Sequence, residues 1–263
     1  MAVLGILTCE ILELEFANLL ANDPEVSQVT VLEDLRSARL IERLESQGFH
    51  NVRRIPHIKG FLPEPSEHLE VLVRVLELAL HRRKSTLQRG LLAAAREISR
   101  HVDALLLGYG LCGGALENPK ELLDTDVPIF IPMDQDHPVD DCVGLILGGR
   151  DRYYAEQRHA PGTFFLTAGW THHWRQLFGP GFCGAQLDVA RRLFAHYERA
   201  LLVMTPVLPQ EEMRRNANEF GRLFGLGVQE TYGTLDILNK AFNAAKECLG
   251  SQTAVAHSHG EQP

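Results

Sequence analysis

The 263-residue chain has no apolar run approaching the roughly 20 residues that span a bilayer, so an ordinary membrane helix is not expected. It opens on a strand-like stretch with no basic segment ahead of it. That is the wrong start for a secretory signal, and the chain is expected to be cytoplasmic. Cysteine is scarce and odd in number: Cys9, Cys112, Cys142, Cys183 and Cys248, irregularly spaced and with no clustered C-x-x-C pair. Such usage argues against a disulfide framework and for thiols with catalytic or metal roles. Basic residues are in deficit. A formal net charge of -8 disfavours non-specific nucleic-acid binding. There is no exact internal repeat, and no linker stands out.

The length suffices for one large α/β domain, and 45% hydrophobic residues is ordinary for a globular protein. Short apolar runs alternate with helical patterns. Strands are expected at Ala2–Leu7, Ser27–Leu32, Asn51–Ile58, Val102–Tyr109, Val127–Met133, Thr163–Thr167, Ala200–Thr205 and Gly227–Thr231. Helices are expected at Glu10–Ala21, Arg36–Gln47, Leu69–Arg82 (capped by Ser66), Ser85–Arg100, Cys142–Glu156, Leu187–Glu198, Gln210–Phe224 and Leu235–Cys248. The alternation implies an α/β fold with a mostly parallel, Rossmann-like sheet and helices on both faces. Residues 1–250 are expected to form a single domain, with a soft lobe boundary near 162–181. The polar tail from Ser251 to Pro263 is expected to be disordered.

Three cysteines share one kind of position. Cys9, Cys112 and Cys142 each follow a strand-like run and precede a helix-like run. In an open parallel sheet those turns lie along one edge, where ligands bind. Three thiols far apart in sequence could meet there and hold a metal ion. A lone buried cysteine is more often a small hydrophobe, but three at equivalent places favour a site.

Cys112 sits in Gly108-Tyr109-Gly110-Leu111-Cys112-Gly113, a formal but weak dinucleotide fingerprint. Gly108, Gly110 and Gly113 are candidate cofactor-binding positions, because glycines let the backbone pass close to a ligand or let amides face a sulfur. Cys142 follows Asp140 and Asp141, natural helix caps. Trp170, at the end of Thr163-Phe164-Phe165-Leu166-Thr167-Ala168-Gly169-Trp170, could wall a pocket. Cys183, His57, His137, Asp141, His172 and His173 are weaker candidates for a fourth ligand. Arg150 and Arg152 are candidates for holding an anion, and Cys248 reads as structural.

Taken together, the Gly-Tyr-Gly-Leu-Cys-Gly segment, Asp141-Cys142 with its downstream Leu-Gly-Gly-Arg-Asp-Arg-Tyr, and the segment ending at Trp170 resemble the domain of unknown function 1638 family. The likeness runs from about Val3 to about Leu238. It implies a cysteine near the end of the first strand, one in the glycine turn and one in a His-Cys pair, falling on Cys9, Cys112 and Cys142. Asp141 replaces the histidine of that pair, and the element Leu-His-Asn-x-Pro survives only loosely in Leu62–Leu69. By association alone, the resemblance also implies a setting beside corrinoid-dependent methyl transfer.

The expected function is therefore a zinc enzyme, or zinc-dependent partner, of corrinoid-linked one-carbon transfer. The zinc would sit on Cys9, Cys112 and Cys142. Two alternatives stand beside it: a [4Fe-4S] enzyme with one open iron, and a non-catalytic accessory subunit that binds a small molecule or a corrinoid protein. Expected partners are a small-molecule substrate and a corrinoid protein or methyltransferase, with no nucleic acid and no membrane.

Overall fold

A computed structural model describes residues 2–63, 68–178 and 185–258. Six strands form a parallel sheet in the order β3-β2-β4-β1-β5-β6. They are β1 (Val3–Cys9), β2 (Val26–Leu32), β3 (Val52–Ile55), β4 (Leu69–Leu76), β5 (Ala104–Gly108) and β6 (Ile129–Phe130). A short antiparallel pair, β7 (Met133–Asp134) and β8 (His137–Pro138), follows. A second parallel sheet contains β9 (Thr163–Leu166), β10 (Arg199–Met204) and β11 (Gly227–Tyr232), with β10 in the middle. The helices are α1 (Glu13–Asn22), α2 (Ala38–Ser46), α3 (Lys84–Ile98), α4 (Pro119–Leu123), α5 (Cys142–Leu147), α6 (Arg150–His159), α7 (Ala168–Phe178), α8 (Ala185–Phe194), α9 (Gln210–Phe224) and α10 (Asp236–Ser258). The chain is an α/β protein with a Rossmann-like parallel sheet.

Both faces of the central sheet are covered, which is why its strands read as continuous apolar runs rather than alternating ones. Leu4 and Ile6 of β1, Val71 and Val73 of β4 and Leu106 of β5 point to one face. There they pack with α1, α2, α10 and residues Phe165, Leu201 and Val203 of the second sheet. Val3, Leu7 and Cys9 of β1, Leu72 and Leu76 of β4, and Leu105, Leu107 and Tyr109 point to the other face, against α3. Leu105, Leu106 and Leu107 are fully buried, each stabilising the fold by about 1.5–3 kcal/mol relative to exposure. The two-residue period thus places Cys9 and Tyr109 on the same side of the sheet.

Several expected elements take another form. Leu69–Arg82 is not a helix. It is central strand β4 followed by a 3-10 turn at Leu78–Arg82. Leu69, Leu72, Val73 and Leu76 fit helical spacing, but Val71, Val73 and Val75 suit a strand buried between β2 and β1. Ser66, the expected cap, lies outside the described residues. The expected strand Val127–Met133 narrows to Ile129–Phe130, between Pro128 and Pro132, and Asn51–Ile58 narrows to Val52–Ile55. The helix expected over Cys142–Glu156 breaks at Gly148 and Gly149, both at positive φ (99° and 110°), into α5 and α6. Helix α10 continues to Ser258, past the Ser251 at which the polar tail begins in the sequence reading. Among the described residues no helix is long and apolar enough to cross a membrane.

Candidate functional site: a cavity lined by three cysteines

The carboxyl ends of β4, β1 and β5 lie side by side. Cys9 is in register with Leu76 of β4, and Thr8 with Gly108 of β5. The segments leaving these three strands wall a cavity of about 370 Å³. From β1 come Cys9 and Ile11, from the turn after β4 come Leu78 and His81, and from the end of β5 and its turn come Tyr109, Gly110 and Cys112. Cys142, at the first residue of α5, and Trp170 and Phe178 of α7 complete the wall. The location is the crevice at strand ends where open α/β sheets bind ligands.

Backbone hydrogen bonds draw the two later cysteines together. The Leu111 amide donates to the Val139 carbonyl (2.8 Å) and the Cys112 amide to the Asp140 carbonyl (2.9 Å). Cys112 then turns the chain in the left-handed region at φ 48°, followed by Gly113 at 67° and Gly114 at 76°. A left-handed cysteine costs on the order of 1 kcal/mol, and such strain concentrates at functional sites. Asp141 caps α5 as its sequence suggests, its Oδ1 accepting from the Gly144 amide at 2.8 Å. Glu10 fixes the opposite wall: its Oε2 accepts from the Leu78 amide at 2.7 Å.

All three thiols are held in the neutral form. Burial pushes Cys9 far above the ordinary thiol range, against a hydrogen bond from the Ile11 backbone. Burial likewise pushes Cys112 up to about 12. Cys142 rises well above the ordinary value through burial first, then through Asp141, Cys9 and Cys112. Tyr109 feels Cys9, Cys112 and Cys142 together, and its buried hydroxyl has no hydrogen-bond partner. Its ring stacks on His81, with centroids 5.8 Å apart and planes 15° apart. His81 Nδ1 stands 3.1 Å from the Leu78 carbonyl, which can only accept. Nδ1 therefore carries the hydrogen and Nε2 keeps its lone pair. Desolvation lowers the His81 pKa and keeps the ring neutral.

The donor set suits a soft metal in kind, since thiolates bind zinc and iron–sulfur clusters. Its spacing does not close as it stands: among the described residues, no three His, Cys, Asp or Glu side chains are gathered so that they could hold a metal ion. Among the described residues, none of the other candidate ligands lines the cavity. His57 is exposed, and His137 is an exposed residue of β8 near Asp136. His173 is bound to Glu13, and His172 lies 3.2 Å from Glu212. Arg150 approaches Asp140 (3.5 Å), and Arg152 donates to the Tyr232 carbonyl. Cys248 sits on α10, and Cys183 lies outside the described residues.

The glycines of the Cys112 turn have neighbours of their own. A side chain at Gly108 would collide with the Phe16 ring, and one at Gly110 would meet the Val139 carbonyl at 2.6 Å. A side chain at Gly113 would meet nothing within 4 Å. Sequence reasoning overlooked Ile11, Leu78, His81 and Phe178 in the wall. Tyr109 carried a signal: it places a polar atom at the end of an otherwise apolar buried strand, between two glycines.

The arrangement is that of an α/β protein with a thiol-lined pocket at its strand ends. The family described as Protein of unknown function (DUF1638) matches residues 75–242, more than half of the chain, and the chain belongs to it. The matched span contains Cys112, Cys142 and Trp170 and begins after Cys9. No curated protein and no solved structure matches the chain.

Proposed function

We propose that the chain is a metal-dependent enzyme whose Cys9, Cys112 and Cys142 take a thiophilic ion, zinc first, beside a small-molecule cavity. We assign it to corrinoid-linked one-carbon or methyl transfer, in the reducing cytoplasm. The observation that carries the metal reading is that three thiols from three separate segments line one cavity. The ionised form of Cys142 is opposed first by burial, then by Asp141 and by both of the other cysteines. A bound cation removes that conflict, because coordination deprotonates thiols outright. The left-handed backbone at Cys112 supports the reading, since it aims a non-glycine residue at a cost. Loading requires the thiols to turn toward one another from their present spacing.

Zinc, when bound, lowers the pKa of a bound thiol or water and supplies a nucleophile. The chain's own residues do the rest. The apolar walls from Ile11, Leu78, Trp170 and Phe178 exclude water, and the Asp141 cap holds Cys142 at the start of α5. At about 370 Å³ the cavity lies at the small end of the range for ligand pockets. It takes a small molecule; a corrinoid ring would stay outside, carried by a partner protein.

The test is elemental analysis with an ultraviolet–visible spectrum of anaerobically purified protein and of Cys112→Ala. One zinc per chain, no colour and loss in the variant is the expected result. Brown protein with iron and sulfide transfers the three cysteines to an open [4Fe-4S] cluster. Metal-free protein after supply of both metals overturns the metal reading. It leaves the accessory-subunit reading, which the lack of charged side chains among the described residues of the lining favours.

A further inference from the structure

Among the described residues, the cavity wall contains no lysine, arginine, aspartate or glutamate. Its ionisable groups are three thiols, one imidazole and one phenol. An ion entering such a site would lose its hydration and, among the described residues of the wall, meet no charged side chain to compensate it. Most of the remaining wall is aliphatic or aromatic: Ile11, Leu78, Trp170 and Phe178.

One polar atom in this wall is unaccounted for. Tyr109 is 1% exposed, and its hydroxyl has no hydrogen-bond partner. Buried tyrosine hydroxyls normally find one, because a donor taken out of water and left unpaired loses its hydration with nothing in return. Tyr109 lines the same cavity as Cys9, Cys112 and Cys142, so a ligand that fills the cavity lies against the tyrosine as well as the cysteines. Stacking against His81 holds the ring in place.

We infer that the cavity binds an uncharged, largely apolar small molecule bearing a hydrogen-bond acceptor oxygen, and that the Tyr109 hydroxyl is the donor to that oxygen. The inference rests on the cavity being a ligand site, as proposed above, but it does not need a metal to be present.

Three ring-matched probes test it: cyclohexanone, methylenecyclohexane and cyclohexanecarboxylate, titrated by calorimetry or ligand-observed NMR. Wild type and Tyr109→Phe are compared, each as purified and after chelator treatment. Cyclohexanone is expected to bind wild type and to lose about fivefold in affinity in Tyr109→Phe, the size of one net hydrogen bond. Methylenecyclohexane is expected to bind both proteins alike. The carboxylate is expected not to compete at concentrations where the ketone saturates. The same pattern in chelator-treated protein separates Tyr109 from any metal. The inference is overturned if the ketone does not bind, if Tyr109→Phe binds it unchanged, or if the carboxylate binds as well as the ketone. Should Tyr109→Phe fail to fold, wild type alone decides. A ketone is better hydrated than the alkene, so it matches or exceeds the alkene's affinity only if the pocket donates a hydrogen bond. Weaker ketone binding then counts against the inference.

Discussion

Nε2 of His173 stands 2.8 Å from Oε1 of Glu13, and the two side chains are 4% and 0% exposed. The pair ties α7, which carries Trp170 and Phe178, to α1, which follows directly on Cys9 and Ile11. Nδ1 of His173 faces the Gln176 Oε1 at 3.2 Å, so both ring nitrogens meet oxygen. Burial opposes the imidazolium, but the Glu13 hydrogen bond and charge outweigh it and raise the His173 pKa. Removing one member of a buried pair strands the other. His173→Ala is expected to cost about 3 kcal/mol or more in urea unfolding at pH 6, with part recovered in the double variant His173→Ala/Glu13→Gln. A loss under about 0.5 kcal/mol, the size of an ordinary surface substitution, would show that the pair does not hold the two helices together.

Glu15 gives the fold a pH dependence of known sign. It is fully buried, and neither side-chain oxygen has a hydrogen-bond partner. Burial pushes its carboxyl up to about 8. The folded state therefore holds a proton that the unfolded chain releases near the ordinary carboxylate value of about 4.3. Stability is complete below that value and falls as pH rises toward about 8. Glu13, raised by burial despite His173, and His173 itself, raised by Glu13, act in the same direction. Wild type should be clearly more stable at pH 5 than at pH 8. Glu15→Gln should flatten much of that decline in denaturant midpoints measured across the range. An unchanged slope would mean that Glu15 is ionised, and paired or hydrated, in solution.

The sequence pattern carried most of the central sheet but not its middle. Val3–Cys9 and Ala104–Gly108 are short apolar runs ending at turn residues, which is what a doubly covered strand looks like. Leu69–Leu76 has the same burial, yet its leucines and valines also fall at helical spacing, and only pairing with β1 and β2 decides between the two. Gly148 and Gly149 were visible as weak helix formers. That they turn the chain at positive φ depends on tertiary packing, with Asp134 and Thr234 close by. Cys9, Cys112 and Cys142 were expected along one edge because adjacent strand ends share it; they line one cavity, but among the described residues they are not gathered as metal ligands, and the approach of Cys112 to Cys142 depends on loop hydrogen bonds that the sequence does not announce. His81 and Phe178 were not legible, since nothing in the local sequence says which loop residue faces the cavity.

Two glycines of one turn should respond differently to the same change. A methyl group at Gly110 would stand 2.6 Å from the Val139 carbonyl and 2.7 Å from the Asp141 amide nitrogen, both backbone atoms. Neither can move without opening the bonds that join the Cys112 and Cys142 turns. Gly110→Ala is expected to cost about 2–3 kcal/mol, as overpacking does. Gly113→Ala meets nothing within 4 Å and pays only for a left-handed backbone, about 1 kcal/mol. Equal losses in urea unfolding would mean that the two turns do not pack as closely as the distances say.

Alkylation reports directly on the state of the thiols. In metal-free protein Cys112 is pushed up to about 12 by burial, and Cys9 and Cys142 are raised as well. The thiolate is the reactive form. The rate of iodoacetamide labelling at Cys112, followed by peptide mapping, should therefore keep climbing between pH 8 and about 10, where an ordinary thiol of pKa about 8.5 levels off. Half-burial also slows the reagent, but that affects the height of the curve and not its position. Zinc binding would change the shape as well. A coordinated sulfur is already deprotonated, so residual labelling would follow release of the metal and lose its steep rise with pH. A plateau near pH 9 in chelator-treated protein would show that the cavity is open to water around Cys112 and that burial does not hold its thiol neutral.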